Sequence, residues 1–187
     1  VSGLIGGDGF KINNYVNKGK TLTGTATNLA MAMALSSSEV NASMGKIVAC
    51  PTAGSCGILP AVILSAGAQL ELDEEGLIKG LLAAAAVGMI IGMNATLSGA
   101  EGGCQAECGS ASAMGAAAVV EMMGGTPKMS LDAGSIILQN VLGLVCDPVA
   151  GLVEIPCAKR NAQGAITALC TADMVMAGVE AKIPFDD

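Results

Sequence analysis

The sequence predicts an all-α fold, or nearly so: a compact bundle of about six helices whose glycine- and proline-rich loops form a site. Three observations predict it. No alternating run of β-branched residues exceeds "KIVAC" at 46–50, whereas apolar residues recur at helical spacing elsewhere. Hydrophobic residues make up 52% of the chain, yet its aromatics are only Phe10, Tyr15 and Phe185, so Ala, Val, Ile, Leu and Met must fill the interior. The 26 glycines let helix backbones approach closely. At 187 residues the chain suits one domain, residues 1–187, with a substantial core.

The elements follow in order. "SGLIGGDG" (2–9) reads as a glycine-rich loop running into polar sequence, and a first helix follows over 23–37. The second loop, "ACPTAGSCGILP" (49–60), leads into a helix over 57–70, with Pro60 in its first turn. In "LDEEG", Asp73 is an N-cap with acids behind it, starting a helix that runs to about 97. A helix over 105–123 ends at Gly124 and Gly125, and Thr126–Pro127 start the next, to about 143. The third loop, "CDPVAGLVEIPC" (146–157), precedes a last helix over 158–179.

Charge narrows the function. A net charge of −7 with scattered cations offers no stripe for phosphates, which excludes nucleic acid. A surface this poor in charge calls for a partner chain, a homo-oligomer or both. Residues 80–100 carry no charge over a length that could span a bilayer, but Asn94, Thr96, Ser98 and four glycines dilute them. The reading is a helix buried on all sides, with no membrane. The chain starts at Val1 without a signal-peptide pattern, as a fragment or trimmed domain does.

The seven cysteines are odd in number, and a disulfide scaffold is usually short and loop-rich, which this chain is not, so reduced cytoplasmic thiols are expected, some binding metal. Cys104, Cys146 and Cys157 each stand beside Gly or Pro where a loop meets a helix: "GGC", "CDP", "IPC". Such a place stabilises a thiolate and presents N–H donors, as an iron–sulfur cluster requires. It equally describes plain capping turns, and the spacings match neither a zinc finger nor a ferredoxin. Cys104 and Cys108 share a helical face or form a chelating pair. Cys170, within an apolar run, reads as core packing.

Three stretches carry a resemblance: "MGKIVACPTAGSCGILPAVIL", "EGGCQAECGSASAMGAAAVVEMMGG" and "NVLGLVCDPVAGLVEIPCAKRNA". The chain resembles the iron–sulfur-dependent bacterial L-serine dehydratases, above all the C-terminal catalytic part of the alpha chain in the two-subunit form. The resemblance implies a lyase of amino-acid catabolism and gluconeogenesis that turns L-serine into pyruvate and ammonia, with a beta chain as partner. It also implies a [4Fe–4S] cluster on Cys104, Cys146 and Cys157, with one iron open to substrate, and leaves Cys50, Cys56, Cys108 and Cys170 outside the ligand set.

An open iron acts as a Lewis acid on the departing hydroxyl, which a cluster held at all four irons could not do. The resemblance places the serine pocket at "PTAGS", where Thr52, Ala53, Gly54 and Ser55 precede a helix start suited to a carboxylate. Ser2, Gly6 and Gly7 form a second candidate cradle. Without a histidine the general base is open among Ser55, Lys46, Glu101 and Glu107 or comes from outside this stretch, where the resemblance implies a histidine that contributes to the site. Lys159, Arg160 and Asn161 follow a cluster cysteine and could orient a carboxylate or sulfides. The rival readings are a pyridoxal-phosphate dehydratase, disfavoured by the lack of strands, an electron carrier with a fourth ligand such as Cys108, and a packing subunit whose cysteines are core.

Overall fold

The computed structural model describes residues 4–187 and is helical throughout: α1 (Asp8–Asn17), α2 (Gly24–Ala42), α3 (Ile58–Gln69), α4 (Glu74–Asn94), α5 (Gly99–Met122), α6 (Pro127–Asn140) and α7 (Glu154–Met176). The only β pairing among the described residues is an isolated antiparallel bridge between Val149 and Leu152, and "KIVAC" is irregular. The all-α expectation holds, with seven helices rather than about six.

The centre is α5, which packs against α3, α4, α6 and α7. Every residue from Cys108 to Val120 is buried. "CGSASAMGAAAVV" makes this possible, since small side chains on all faces let four neighbours close on one helix. At Gly115 a Cβ would stand 3.4 Å from both Ala168 and Val62.

The caps at the middle of the chain are those read from sequence. Asp73 accepts the Gly76 amide at 3.0 Å, and the Thr126 hydroxyl accepts the Met129 amide at 3.3 Å. Gly124, at φ +79°, closes α5, with the Gly125 amide reaching back to Val120 at 2.9 Å.

Four expectations need correction. The segment after "GGDG" is a helix, α1, whose polar sequence hid it. Its N-terminus is satisfied from outside, because the Asp8 and Gly9 amides donate to Glu39 of α2 at 2.6 and 3.1 Å. α4 is not buried on all sides. Only Gly80, Ala84, Val87 and Ile91 are buried, one stripe at helical spacing, while Leu82, Met89 and Met93 are 65%, 63% and 76% exposed. The helix buried all round is α5, where small residues allow it. α5 and α7 also begin earlier than expected, at Gly99 and Glu154, the first with a kink at Gly103 and the second with Pro156 tolerated in its opening turn. Cys170 lies on an exposed face of α7 and is not core packing.

Candidate metal centre and substrate loop

At one end of the bundle three elements bring thiols together. Gly103 breaks α5 with φ 74° and ψ −173°, a conformation open essentially to glycine alone. A Cβ there would stand 3.0 Å from the Leu144 carbonyl. The break releases the next amide from the helix, and Gln105 N–H donates to that same carbonyl at 2.8 Å. The Gln105 side chain accepts from Gly143 N–H at 2.7 Å. The helix that carries Cys104 is thereby stitched to the segment that carries Cys146.

Arg160 of α7 completes the join. Its Nη1 donates to Cys104 Sγ at 3.0 Å and to the Val145 carbonyl at 2.9 Å, and its Nη2 pairs with Asp147 at 2.8 Å. It grips the residues on either side of Cys146 while touching Cys104. Lys159 points elsewhere, pairing with Asp8 of α1. Because α7 begins at Glu154, Arg160 lies in its second turn, where thiol, carbonyl and carboxylate partners hold it.

The electrostatics separate the thiols. Cys104 is drawn down to about 6, first by its hydrogen bond with Cys108 and then by Arg160 and Cys157, against the opposing effect of burial. Cys108 moves well above the ordinary thiol range, through that same bond and through burial. Burial, then the charge of Cys104, pushes Cys157 up to about 12. Burial, then Cys104, also raises Cys146.

All seven cysteines are free. Among the described residues no group of three or more His, Cys, Asp or Glu side chains closes on a point as a single metal ion requires. A multi-iron cluster makes a different demand, for thiolates arrayed around a larger body, each on its own iron. Cys104 from α5, Cys157 from α7 and Cys146 from the intervening segment, with Arg160 among them, could hold such a group.

The loop 51–57 is tied to the same two helices. Thr52 Oγ1 donates to Glu107, which lies one turn beyond Cys104 on α5. Asn161 lies one turn beyond Cys157 on α7 and has no exposed surface. Its amide nitrogen donates to the carbonyls of Gly54 (2.7 Å) and Cys157 (2.8 Å), and its oxygen accepts the Gly57 amide at 2.9 Å. Asn41 of α2 donates to the Ala53 carbonyl at 2.8 Å. The amides of Ala53, Gly54 and Ser55 have no protein acceptor among the described residues. A cavity of about 60 Å³ lies beside this loop, between Ile5, Gly54, Glu154 and Cys157.

The remaining expected residues fall as follows. Ser55 is fully buried, 3.0 Å from Thr52 Oγ1. Lys46 is exposed and lines another cavity, with Val48, Cys56 and Pro60. Gly6 and Gly7 are exposed, and the α1 amides that follow them already serve Glu39. Ser2 lies outside the described residues. Cys56 is buried, and burial, then Cys56, pushes Cys50 up to about 11. The sequence reading missed the stitching roles of Gln105 and Asn41, for which no local pattern exists.

A profile of the family described as Serine dehydratase alpha chain matches residues 1–187. The chain is 56% identical over 182 residues to the L-serine dehydratase, alpha chain, of Peptoniphilus asaccharolyticus, covering 96% of this chain and 62% of that protein. It is 52% identical over 186 residues to the probable L-serine dehydratase, alpha chain, of Bacillus subtilis (strain 168), covering 100% of this chain and again 62% of the relative. With L-serine dehydratase TdcG of Escherichia coli it shares 46% identity over 144 residues, 76% of this chain and 32% of that protein. The chain thus spans less than two thirds of the length of each of these three relatives. With the match running its whole length and through the loop and thiol segments alike, the chain belongs to the serine dehydratase alpha chain family.

Proposed function

We propose that this chain is the catalytic, cluster-holding part of a cytoplasmic L-serine ammonia-lyase that converts L-serine to pyruvate and ammonia together with a beta chain, a second copy of itself, or both. The observation that carries the reading is the tie between loop and thiols. The loop 52–55 is anchored by Glu107 and Asn161, each one turn along the helix from Cys104 or Cys157. A substrate on the loop therefore sits at a distance from the thiols fixed by two helices.

Cys104, Cys146 and Cys157 are the residues that would hold a [4Fe–4S] cluster. When bound, such a group supplies a Lewis-acid iron to the departing hydroxyl. The chain's own residues do the rest. The amides of Ala53, Gly54 and Ser55 receive the substrate carboxylate, as unpaired N–H groups ahead of α3 are suited to do, while the Thr52 hydroxyl holds the loop to Glu107. Asn161 keeps the Gly57 amide and Gly54 carbonyl in place beneath them. Arg160 offsets the negative charge of the thiolates.

The test is anaerobic reconstitution with iron and sulfide, followed by Mössbauer spectra with and without L-serine. One iron of four changing its signal supports the reading, and four unresponsive irons overturn it. Cys146→Ser abolishes iron retention and pyruvate formation, whereas Cys170→Ser, on an exposed face, retains both. One observation favours a second reading, an electron carrier: Cys108 adjoins Cys104 and could serve as a fourth ligand. Iron loss in Cys108→Ser equal to that in Cys146→Ser would establish it.

A further inference from the structure

We propose that Arg160 is the positioning residue of the thiol centre, holding the Cys146 segment in register with Cys104 and Cys157 before any iron arrives. The inference rests on the cluster reading above and goes beyond it, because it says what sets the spacing of the three thiols.

Two of the three are placed by helix packing. Cys104 on α5 and Cys157 on α7 are buried, and the two helices lie against each other. Cys146 has no such support. It is half-buried on an irregular segment, 144–148. Gln105 holds that segment only at its start, through the Leu144 carbonyl and the Gly143 amide. Beyond Leu144, among the described residues, no backbone–backbone hydrogen bond involves Val145, Cys146, Asp147 or Pro148. The polar contacts of this stretch come from Arg160, which reaches the Val145 carbonyl at 2.9 Å and Asp147 at 2.8 Å.

The same Nη1 that meets Val145 donates to Cys104 Sγ at 3.0 Å. Arg160 also stands three positions after Cys157, a spacing that puts the two on one side of α7. One side chain therefore starts beside one thiol, touches a second and brackets the third. More than a surface ion pair is at work. The Asp147 side chain is 61% exposed, and a pair with so wet a carboxylate contributes little by itself. Arg160 is only 16% exposed, so its charge has lost most of its water. The planar fork offsets that loss, because its several N–H groups reach a sulfur, a carbonyl and a carboxylate at once. A lysine ammonium, a single point charge, cannot span all three.

The contact with Cys104 adds a second signature. Hydrogen bonds to ligand sulfurs, together with net charge, set the reduction potential of an iron–sulfur group. A brace that only filled space would leave that potential where it was. The fork and the charge of Arg160 can thus be read apart.

The experiment compares Arg160→Gln, Arg160→Lys and Asp147→Asn in the full-length alpha chain, purified with its partner chain and reconstituted anaerobically with iron and sulfide. Three quantities are read: the rate of iron loss to a chelator, the reduction potential of the bound iron, and amide exchange in the iron-free protein. Arg160→Gln should lose iron about 10–100-fold faster than the parent, with its potential shifted to more negative values. Arg160→Lys, which keeps the charge but not the fork, loses iron nearly as fast while its potential moves less. Asp147→Asn, an exposed change that leaves the core untouched, loses iron at an intermediate rate. Without iron, exchange at Gln105 and Gly143, whose amides tie down the same segment, accelerates about fivefold in Arg160→Gln relative to α6. Iron loss within about twofold of the parent in every variant overturns the proposal. Full recovery by lysine also overturns it, since charge alone would then suffice. A raised KM for serine with iron loss unchanged would make Arg160 a substrate anchor, and exchange rising uniformly over α5, α6 and α7 would make it a brace of the bundle; either sinks the assignment. A parent protein that takes up no iron defeats the cluster reading itself, and the exchange comparison then still decides whether Arg160 holds the segment.

Discussion

Asn161 shows what one buried amide does for this site. It makes three hydrogen bonds with no exposed surface, two of them to the backbone of the 51–57 loop. Asn161→Ala leaves the Gly57 N–H and the Gly54 carbonyl unpaired, at about 1–3 kcal/mol for each group so stranded. The expected outcome is a thermal midpoint lower by about 5–10 °C for a chain of this size. Amide exchange should accelerate at residues 53–57 more than in α4 or α6. Uniform acceleration would mean that Asn161 supports the whole bundle and not this loop.

At the scale of elements, α1 illustrates a helix made by its neighbours. Its sequence, "DGFKINNYVN", has little helix propensity, and Phe10 is 68% exposed. Glu39 satisfies its first amides, and Asp8 joins it to α7 through Lys159 as well as to its own Lys11 at 2.9 Å. The hydrogen bonds to Lys11 and then Lys159 lower Asp8 from 3.8 to about 2. A depressed carboxyl stabilises the fold above its unfolded pKa and loses that contribution as pH falls through the folded value. Asp8→Asn should therefore be less stable than the parent at pH 7, by about 1 kcal/mol or less given its partial exposure. The gap should close between about pH 4 and 2 in paired thermal melts. A gap constant across that range would show that the ion pairs do not hold α1.

For the whole molecule, the unresolved matter is the outer face of α4. Its exposed residues include Ile78, Leu81, Leu82, Met89 and Met93, so this strongly apolar helix turns much of its apolar surface outward. Patches of that kind mark contact surfaces, in keeping with the partner chain or second copy proposed above. Because Leu82 and Met89 touch little within the chain, Leu82→Glu with Met89→Glu should leave the thermal midpoint within about 2 °C. Binding of an apolar fluorescent dye should fall severalfold in the isolated chain. A large drop in midpoint would show that α4 is held by contacts that its exposure does not reveal.

The sequence by itself determined the all-helical class and the caps at Asp73 and Thr126. Those features are local: a side chain bonding three residues on, a glycine at positive φ, a proline in a first turn. The family was legible in the same way, from motif residues contiguous in the chain. Only the tertiary structure decided which apolar helix is central. α4 and α5 are both apolar, and α5 took the centre because its small residues admit neighbours on every side. Likewise only the fold joined Thr52 to Glu107, Gly54 to Asn161 and Arg160 to Cys104, partners 55, 107 and 56 positions apart. No periodicity encodes such pairs, because their geometry arises when separate helices pack.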